Sequence, residues 1–488
     1  MALHQLSALD LLNHYKTKDL SPIDVVQSLF DRIHSINPAL NAFVTLNEDN
    51  ALSFAKKAEE RIMKGKALRP LEGVPIAIKD LTPTKGIRTT FGSPLFKDHI
   101  PNRDSTVVHR LKAAGAIIMG KTNTPEFGYK GTTDNPLFGA TRNPWDLRTN
   151  SGGSSGGSAA AVSAGLVPIA EGSDGGGSIR IPASLCGIYG FKPSYGLIPN
   201  DNHLDNVFGS HEPFIHSGSL TRTVEDAALM FDIMKGYTTT DPFVIPDNGS
   251  SALEAVQNNK KNKRLKIGWT LDFNMYEIDK DVASVFMQTI DQLTAAGFDI
   301  HPVQLSMKKT LREYVEYFEA LWTVGFAAGF KERSEAHPEA FSKGILAMIE
   351  NGQKFSAIDF KALEEDRAYY WHLFQEQWQN YDILLSPTLA VPAFQYDWEG
   401  PPTINDKPIR DSSDWVMTQI YNITGLPAIS LPVGLTPSGL PVGMQAATQR
   451  LADETLLQFA RFCEQHLPFL SGAVNNKEPL ETHALTID

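Results

Sequence analysis

The stretch SGGSSGGSAAAVSAGLVPIAEGSDGGGSIRIPA, residues 151–183, contains the pattern that decides the fold. A glycine- and serine-rich loop leads into small residues that favour a helix, and VPIAEGSD, residues 167–174, is an apolar run typical of a buried strand. Three glycines then place Ser178 just behind the end of that strand. Glycine costs about 0.5–1 kcal/mol relative to alanine inside regular structure, so the run indicates a sharp bend or a close approach to a ligand. A flexible linker is disfavoured because apolar residues follow at once.

A similar alternation of strand and helix occurs upstream of this stretch. GVPIAIKD, residues 73–80, predicts a buried strand with Lys79 at its carboxyl end. DSTVVHRLKAAG, residues 104–115, predicts a capped helix, and AIIMGKTN, residues 116–123, predicts a second buried strand. Strand, helix and strand in this order favour parallel pairing in a sheet that helices cover on both faces.

The rest of the sequence extends this pattern in both directions. The N-terminal region predicts helices, one of them with Ser21 as an N-cap before a proline. Residues 264–305 predict a strand, a helix and a strand, and residues 308–379 are mostly helical. The apolar runs at 380–388 and 427–435 predict further strands. We therefore expect an α/β fold with a mostly parallel, mixed central sheet.

Composition and charge exclude several classes of function. With 42% hydrophobic and 20% charged residues, the 488-residue chain is typical of a globular protein with a large core. The net charge of −12 argues against sequence-independent nucleic-acid binding, and the basic cluster NNKKNKR, residues 258–264, is interpreted as a solvated connector. The weakly polar run from Gly157 is too short to cross a bilayer, and the first residues do not form a secretory signal. We therefore expect a cytoplasmic protein that binds neither nucleic acid nor membrane.

Several kinds of chemistry use glycine and serine clusters of this kind. A phosphate-binding loop is disfavoured because GGSSGGSA lacks the Lys-Ser or Lys-Thr pair of a Walker motif. Ser155 is the centre of a G-x-S-x-G match, but the preceding residues 143–151 do not predict the strand that such a nucleophile follows. Cys186 lies in an apolar run and is interpreted as a packed small side chain. A further hypothesis is a Ser178 nucleophile whose base is a residue other than histidine.

Lys79 is a candidate for this base. A lysine titrates near ~10.4 in water, and burial away from acids lowers its pKa enough to make the amine a proton acceptor. The apolar residues before Lys79 predict a buried position, and Asp80 is expected on the opposite face because successive strand side chains alternate. For the lysine taken alone, a strand-end charge that reaches solvent is the commoner arrangement.

These motifs together resemble the amidase signature family, whose catalytic unit is a serine, a cis-bonded serine and a lysine. The match is almost continuous from GGSSGGS to GSIRIPA, and it extends to GVPIAIKD, GKTNTPEFG, GATRNPW, GFKPSYG and GLPAISLPVG. The resemblance thus covers most of the chain. It implies one amidase domain over residues 1–488, with N-terminal helices in 1–70, the catalytic core in 71–240, and further sheet and a helical pocket region in 241–488.

The resemblance also implies roles for individual side chains. It makes Ser178 the nucleophile and Lys79 the base. Ser154, preceded by a cis peptide bond, becomes the serine that relays protons between them, and Ser155 is the alternative for this position. A reaction of this kind uses neither a metal nor an organic cofactor.

The resemblance also explains the glycines before Ser178 as part of an oxyanion-binding loop. They let main-chain N–H groups, with that of Ser178, point at the carbonyl oxygen on which negative charge develops during attack. The predicted oxyanion residues are Gly175, Gly176 and Gly177. The family often has a side chain at the position of Gly175. Asp174 and Arg180 flank the loop, either as a buried ion pair or as two surface charges.

The identity of the substrate is less constrained by these motifs. The runs AIKDLT, GATRNPW and PASLCGIYGFKP look most like those of bacterial aminohexanoate cyclic-dimer hydrolases and related general amidases. This resemblance implies a small-molecule amide substrate. The oligomeric state is left open between a monomer and a homodimer. The alternative is the glutaminase subunit of a transfer-RNA-dependent amidotransferase, but its YDG-type segment is not found in the middle region. Pocket walls are expected from the loop 201–216 and from the helical region after Lys308, where Phe318 and Trp322 belong either to the core or to the pocket.

Overall fold

The fold is that of a computed structural model, which describes residues 2–202, 214–258 and 265–467. Residues 259–264 of the predicted connector lie outside this range. The central part of the predicted pocket loop, residues 203–213, lies outside it as well. In the described ranges, no helix combines the length and the apolar character that crossing a bilayer requires.

Helices and strands alternate along much of the chain. The first group of elements is α1 (Ala8–Thr17), α2 (Pro22–Leu40), β1 (Phe43–Leu46), α3 (Glu48–Met63), β2 (Pro75–Lys79), α4 (Thr106–Ala113), β3 (Ile117–Thr122), β4 (Arg142–Asn143), β5 (Asp146–Asn150), α5 (Gly156–Ser163), β6 (Ile169–Asp174), α6 (Arg180–Cys186) and β7 (Tyr189–Lys192). The second group is β8 (His216–Thr221), α7 (Val224–Met234), α8 (Ala252–Gln257), β9 (Lys266–Trp269), α9 (Lys280–Ala295) and β10 (Asp299–Pro302). The third group is α10 (Leu311–Ala336), α11 (Lys343–Gly352), α12 (Ala357–Gln377), β11 (Ile383–Pro387), β12 (Thr403–Ile404), β13 (Lys407–Pro408), α13 (Ile420–Ile423), β14 (Ala428–Leu435), β15 (Pro441–Ala447) and α14 (Asp453–His466).

A mixed sheet of eleven strands forms the centre of the described structure, in the order β1-β3-β2-β6-β8-β7-β14-β15-β11-β9-β10. Parallel pairing joins β3, β2 and β6 at one side and β11, β9 and β10 at the other. The other neighbours pair antiparallel. The α/β class and the mixed sheet are confirmed, but parallel pairs are fewer than the sequence indicated. A short turn rather than a helix joins β14 to β15, and a connection of that length forces antiparallel pairing.

Helices pack on both faces of the sheet, as predicted. In β2, Ile76 and Ile78 belong to a buried cluster that includes residues of α4, α7 and α14. Ala77, between them, belongs to a second cluster with residues of α2 and α5. Because strand side chains alternate, Lys79 lies on the same face as Ala77 and α5.

Local sequence signals define several element ends. The Ser21 hydroxyl accepts the Ile23 N–H at 3.0 Å, which confirms the predicted N-cap of α2. Cys186 ends α6, where it is fully buried and burial raises the pKa of its thiol. This supports its interpretation as a packed small residue rather than a reactive thiol.

Candidate active site

Lys79 lies at the carboxyl end of β2, between the parallel neighbours β3 and β6. Its side chain is fully buried, so the commoner arrangement of a solvent-facing strand-end lysine does not apply. The Nζ atom is 2.7 Å from Ser154 Oγ, 3.0 Å from Ser173 Oγ and 3.4 Å from the Ser173 carbonyl oxygen. A neutral amine has two N–H groups and one lone pair. Ser173 can therefore accept both N–H groups and leave the lone pair for the Ser154 hydroxyl.

The electrostatics of this site favour a neutral lysine. Burial lowers the pKa of Lys79 to about 7, against the opposing influence of Glu171 and Asp174. Burial also raises the pKa of Glu171, whose carboxylate accepts the Lys79 main-chain N–H at 3.1 Å. The pKa of Lys79 therefore lies close to neutral pH, where the pKa of an effective enzymatic base is expected to lie.

Asp80 takes no part in this arrangement. Its Oδ2 accepts the N–H and the hydroxyl of Thr90 at 3.0 and 2.5 Å. Burial raises the pKa of Asp80 to about 6. The predicted separation of the Asp80 and Lys79 side chains agrees with these contacts, since they leave on opposite faces of the strand.

The two neighbouring serines have different contacts. The peptide bond between Gly153 and Ser154 is cis, and a Cβ on Gly153 would lie only 2.5 Å from the Thr132 carbonyl oxygen. Ser154 carries the hydroxyl that contacts Lys79. Ser155 instead donates its N–H to the Ser178 carbonyl at 3.1 Å and its hydroxyl to the Ser173 carbonyl at 3.2 Å. These contacts favour Ser154 over Ser155 for the relay position.

Ser178 follows the end of β6 and is partly accessible, whereas Lys79 and Ser154 are buried. The Ser178 carbonyl accepts the Ser155 N–H, and this bond brings Ser178 next to the pair Ser154 and Ser155. Within the described residues, its hydroxyl has no hydrogen bond to Ser154 or to any other group. The structure thus joins Lys79 to Ser154 directly and brings the Ser178 main chain next to Ser155, and the Ser178 hydroxyl has no partner among the described residues.

A buried ion pair fixes the loop that carries Ser178. The two carboxylate oxygens of Asp174 each accept a guanidinium N–H of Arg180 at 3.0 Å, and both side chains are inaccessible to solvent. Burial alone would raise the pKa of Asp174, but Arg180 holds it below its usual range. Of the two arrangements that the sequence left open for these residues, the structure shows the buried pair.

One predicted oxyanion residue is corrected by these contacts. The N–H of Gly177 donates to Asp174 Oδ1 at 2.7 Å and is therefore not available to a substrate. Gly177 has φ of 122°, which glycine adopts readily, so its role is to turn the chain. Among the described residues, the N–H groups of Gly175, Gly176 and Ser178 have no acceptor.

Two aromatic side chains of α10 pack directly on this loop. A Cβ on Gly175 would lie 2.5 Å from Trp322 Cζ2, and one on Gly176 would lie 2.8 Å from Phe318 Cζ. Such distances exclude any side chain at either glycine without rearrangement of the rings. Phe318 and Trp322 therefore border the site. Phe318 also belongs to the buried core cluster that contains Tyr314, one turn earlier on α10, and the partly buried Trp322 packs against that cluster.

Sequence reasoning missed three residues of this site. Ser173 contacts Lys79 from the end of β6. Thr418 donates its hydroxyl to the Gly176 carbonyl at 2.6 Å, and Asn422 donates to the Asp174 carbonyl at 2.9 Å. The sequence signal for the last two is the polar pattern TQIYN, which precedes the GLPAISLPVG motif.

Replacement of Asp174 by asparagine is expected to lower the free energy of unfolding by about 3–5 kcal/mol, because the buried Arg180 then lacks its counter-charge. Chemical denaturation measures this change. Asp146→Asn is the matched control, since Asp146 pairs with Arg148, whose side chain is 89% exposed. There we expect a loss of no more than about 1 kcal/mol. Equal losses in the two variants would contradict the assigned role of the buried pair.

Sequence comparison identifies relatives that align with nearly the whole chain. Residues 24–457 match the protein family described as Amidase. The chain is 34% identical to an acylamidase of Rhodococcus erythropolis over 473 residues, which cover 96% of each chain. It is also 36% identical to a glutamyl-tRNA(Gln) amidotransferase subunit from Carboxydothermus hydrogenoformans over 504 aligned positions, which cover 96% of this chain and 99% of that protein.

Solved structures of amidases have the same fold as this chain. A bacterial aryl acylamidase of the amidase signature family superimposes with a TM-score of 0.90 at 31% identity, over 96% of this chain and 98% of that one. The substrate complex of 6-aminohexanoate cyclic dimer hydrolase superimposes with a TM-score of 0.84 at 27% identity, with the same coverage. These matches confirm the resemblance that the motifs indicated. The chain belongs to the amidase family, as a member of the amidase signature enzymes that act on carbon–nitrogen bonds other than peptide bonds.

Proposed function

We propose that this protein is an amidohydrolase that cleaves a linear or cyclic small-molecule carboxamide through an acyl-enzyme on Ser178. The observation that carries the proposal is the buried Lys79 amine, with a pKa of about 7, hydrogen bonded to Ser154 Oγ at 2.7 Å. A neutral amine connected to a serine can withdraw a proton from a second serine beside it. The similarity to an acylamidase supports the same reaction class.

In the first half-reaction, Lys79 accepts the Ser154 hydroxyl proton while Ser154 accepts the proton of Ser178. The Ser178 oxygen forms a bond to the carbonyl carbon, and the resulting oxyanion lies against the main-chain N–H groups of Gly175, Gly176 and Ser178, which have no acceptor among the described residues. When the carbon–nitrogen bond breaks, Ser154 gives its proton to the leaving nitrogen and takes the proton back from Lys79. The products of this half-reaction are the free amine and an ester on Ser178.

In the second half-reaction, water replaces the amine as the reacting group. The same relay takes a proton from water as its oxygen bonds to the acyl carbon. Collapse of this intermediate breaks the bond to Ser178, which regains its proton through Ser154. The carboxylic acid leaves and the enzyme returns to its starting state.

A fluorophosphonate probe with peptide mapping tests the assignment of the nucleophile. We expect one phosphonylated residue, Ser178, because this residue is partly accessible and its neighbours in the loop carry main-chain N–H groups without an acceptor among the described residues. A library of amides and esters, assayed with the unlabelled chain, then identifies the preferred acyl and leaving groups. Labelling of Ser155 or of another serine in place of Ser178 would overturn the proposed nucleophile.

The two neighbouring serines are distinguished by matched alanine variants. Ser154→Ala removes the hydroxyl that contacts Lys79, and we expect kcat/KM for an amide to fall by about 10²–10³-fold, within the range for a lost proton-transfer group. Ser155→Ala removes one hydrogen bond to the Ser173 carbonyl, and its main-chain bond to Ser178 remains. For that variant we expect a loss of no more than about tenfold. The opposite order of effects would assign the relay to Ser155.

The second candidate function is the glutaminase component of a transfer-RNA-dependent amidotransferase. It is favoured by the 36% identity to one chain of such an enzyme. The structural match to the corresponding chain from Thermotoga maritima has a TM-score of 0.76, below the 0.90 of the aryl acylamidase. Hydrolysis of simple amides by the purified chain alone supports the first function. Activity that requires transfer RNA and a co-purifying partner protein supports the second.

A further inference from the structure

Glu171 is a buried carboxylate that lies two residues before Ser173 on β6. The proposed reaction assigns it no part. Its Oε2 accepts the main-chain N–H of Lys79 at 3.1 Å, and its Oε1 accepts the hydroxyl of Thr82 at 2.9 Å. Because both oxygens accept hydrogen bonds, these contacts favour the ionised carboxylate. A buried negative charge is thus bound to the backbone of the residue whose amine serves as the base.

The two bonds of Glu171 hold a tight turn at the end of β2. The Thr82 N–H donates to the Lys79 carbonyl at 3.0 Å and closes this turn. From β3, the other neighbour of β2, the Nζ atom of Lys121 donates to the Thr82 carbonyl and to Thr84 Oγ1. The strands on either side of β2 therefore both hold the turn. This arrangement fixes the backbone from which the Lys79 side chain reaches the relay serine.

Glu171 also lacks the counter-charge that Asp174, on the same strand, has. Burial lowers the pKa of Lys79, and the negative charges of Glu171 and Asp174 oppose this change. Asp174 forms the buried ion pair with Arg180. Within the described ranges, Glu171 forms no ion pair with a lysine or arginine side chain. The charge of Glu171 therefore acts on the Lys79 amine without a paired cation to reduce it.

The other charged groups around this turn are Asp80 and Lys121. Asp80 leaves the strand on the face opposite Lys79, where it is hydrogen bonded. Burial raises the pKa of Asp80 and lowers that of Lys121, and in each case the charge of the other opposes the change. Burial also raises the pKa of Glu171, and the hydrogen bond from Thr82 opposes this more strongly than the charge of Lys121 does. Helix α5, on the face of Lys79, has no charged residue.

We propose that Glu171 is a positioning residue for the base: its carboxylate fixes the turn after Lys79 and supplies the negative charge that keeps the buried amine a strong proton acceptor. The inference rests on the proposed amidohydrolase function. Without this charge the ammonium form of Lys79 is less stable, so the amine loses its proton at lower pH and takes the Ser154 proton less readily. A weaker base at this position slows the attack of Ser178.

The pH dependence of fluorophosphonate labelling at Ser178 measures this effect without a known substrate. Glu171→Gln keeps an oxygen for the Lys79 N–H, offers an amide N–H to the Thr82 oxygen, and removes the charge. We expect the pH of half-maximal labelling rate to fall by about one unit, the lower end of the effect of a nearby opposite charge. The rate on the high-pH plateau should fall about threefold, because a weaker base assists the attack less.

Glu72→Gln is the matched control. Glu72 is also fully buried, but it lies before the start of β2, where it accepts hydrogen bonds from Arg61 and Arg69. The variant should unfold at lower denaturant concentration, because two guanidinium groups lose their counter-charge. Its half-maximal pH and its plateau labelling rate should be those of the wild type.

Glu171→Leu separates the charge from the positioning. Leucine removes the charge and both hydrogen-bond acceptors at similar volume. The half-maximal pH should therefore fall as far as in Glu171→Gln. The plateau rate should be about tenfold below that of Glu171→Gln, because the turn after Lys79 loses two bonds. Equal plateau rates in the two variants would show that Glu171 does not position the base.

The remaining outcomes separate this proposal from the proposed function. An unchanged half-maximal pH in Glu171→Gln, a shift to higher pH, or an equal shift in Glu72→Gln overturns the role of the Glu171 charge. In each of these cases, labelling of the wild type at Ser178 still supports the proposed function. If the wild type is not labelled at Ser178 and hydrolyses no amide, the proposed function itself fails.

Discussion

Substitution of Ser178 by alanine is expected to reduce kcat for any amide substrate by at least about 10⁵-fold, since loss of the nucleophile of a serine hydrolase costs about 2 × 10⁶. The reaction then lacks the atom that forms the acyl-enzyme. Steady-state hydrolysis with a chromogenic amide measures the loss, and the fluorophosphonate probe should no longer label the protein.

The same variant should fold normally. In the described structure the Ser178 hydroxyl makes no hydrogen bond, so its removal leaves no buried partner unsatisfied. We expect the free energy of unfolding to change by less than about 0.5 kcal/mol. Residual activity above one hundredth of wild type in a normally folded Ser178→Ala protein would falsify the nucleophile assignment.

Substitution of Lys79 by methionine has the second-largest expected effect, a loss of about 10³–10⁴-fold in kcat/KM. Methionine fills a similar volume but accepts no proton from Ser154. Lys79→Arg should be equally inactive, because a guanidinium stays protonated in proteins and cannot serve as a base. An active arginine variant would show that the positive charge at this position, rather than the lone pair, supports the reaction.

The wild-type pH profile provides an independent measurement of the same group. Because only neutral Lys79 accepts a proton, kcat/KM should rise with pH through the pKa of about 7 and level off above it. Lys121→Met is the matched control: Lys121 is also fully buried, but its Nζ contacts Thr82 and Thr84. That variant should lose stability and keep its half-maximal activity at the same pH. A profile that falls with rising pH near neutrality would exclude a neutral lysine base.

Much of the core could be predicted because its signals are local. The apolar run before Lys79 predicts a buried strand, and burial is also the cause of the lowered pKa of Lys79. The N-cap at Ser21 likewise depends on neighbours within one turn of helix. The glycines before Ser178 indicated a bend beside a ligand, and the serine motif shared with a known family pointed to Ser154.

Other features depend on contacts that no local pattern encodes. The sequence shows three equivalent glycines, but only the folded loop turns the Gly177 N–H toward Asp174 and leaves the other two N–H groups without an acceptor in the part of the chain that the structure describes. The closeness of Phe318 to Gly176 joins residues that are far apart in the chain. The number of parallel pairs depends on the strand order of the whole sheet, and that order follows from packing rather than from the period of apolar residues.

The link between Asp174 and Asn422 has a consequence for how the protein matures. Asn422 donates to a carboxylate 248 residues earlier in the chain, and Thr418 holds Gly176 from the same late segment. A nascent polypeptide on the ribosome therefore carries the serines and the lysine long before the part that secures their loop has been synthesised. Hydrolytic competence is therefore expected only after the chain has been synthesised through Asn422 and this segment has packed against the loop.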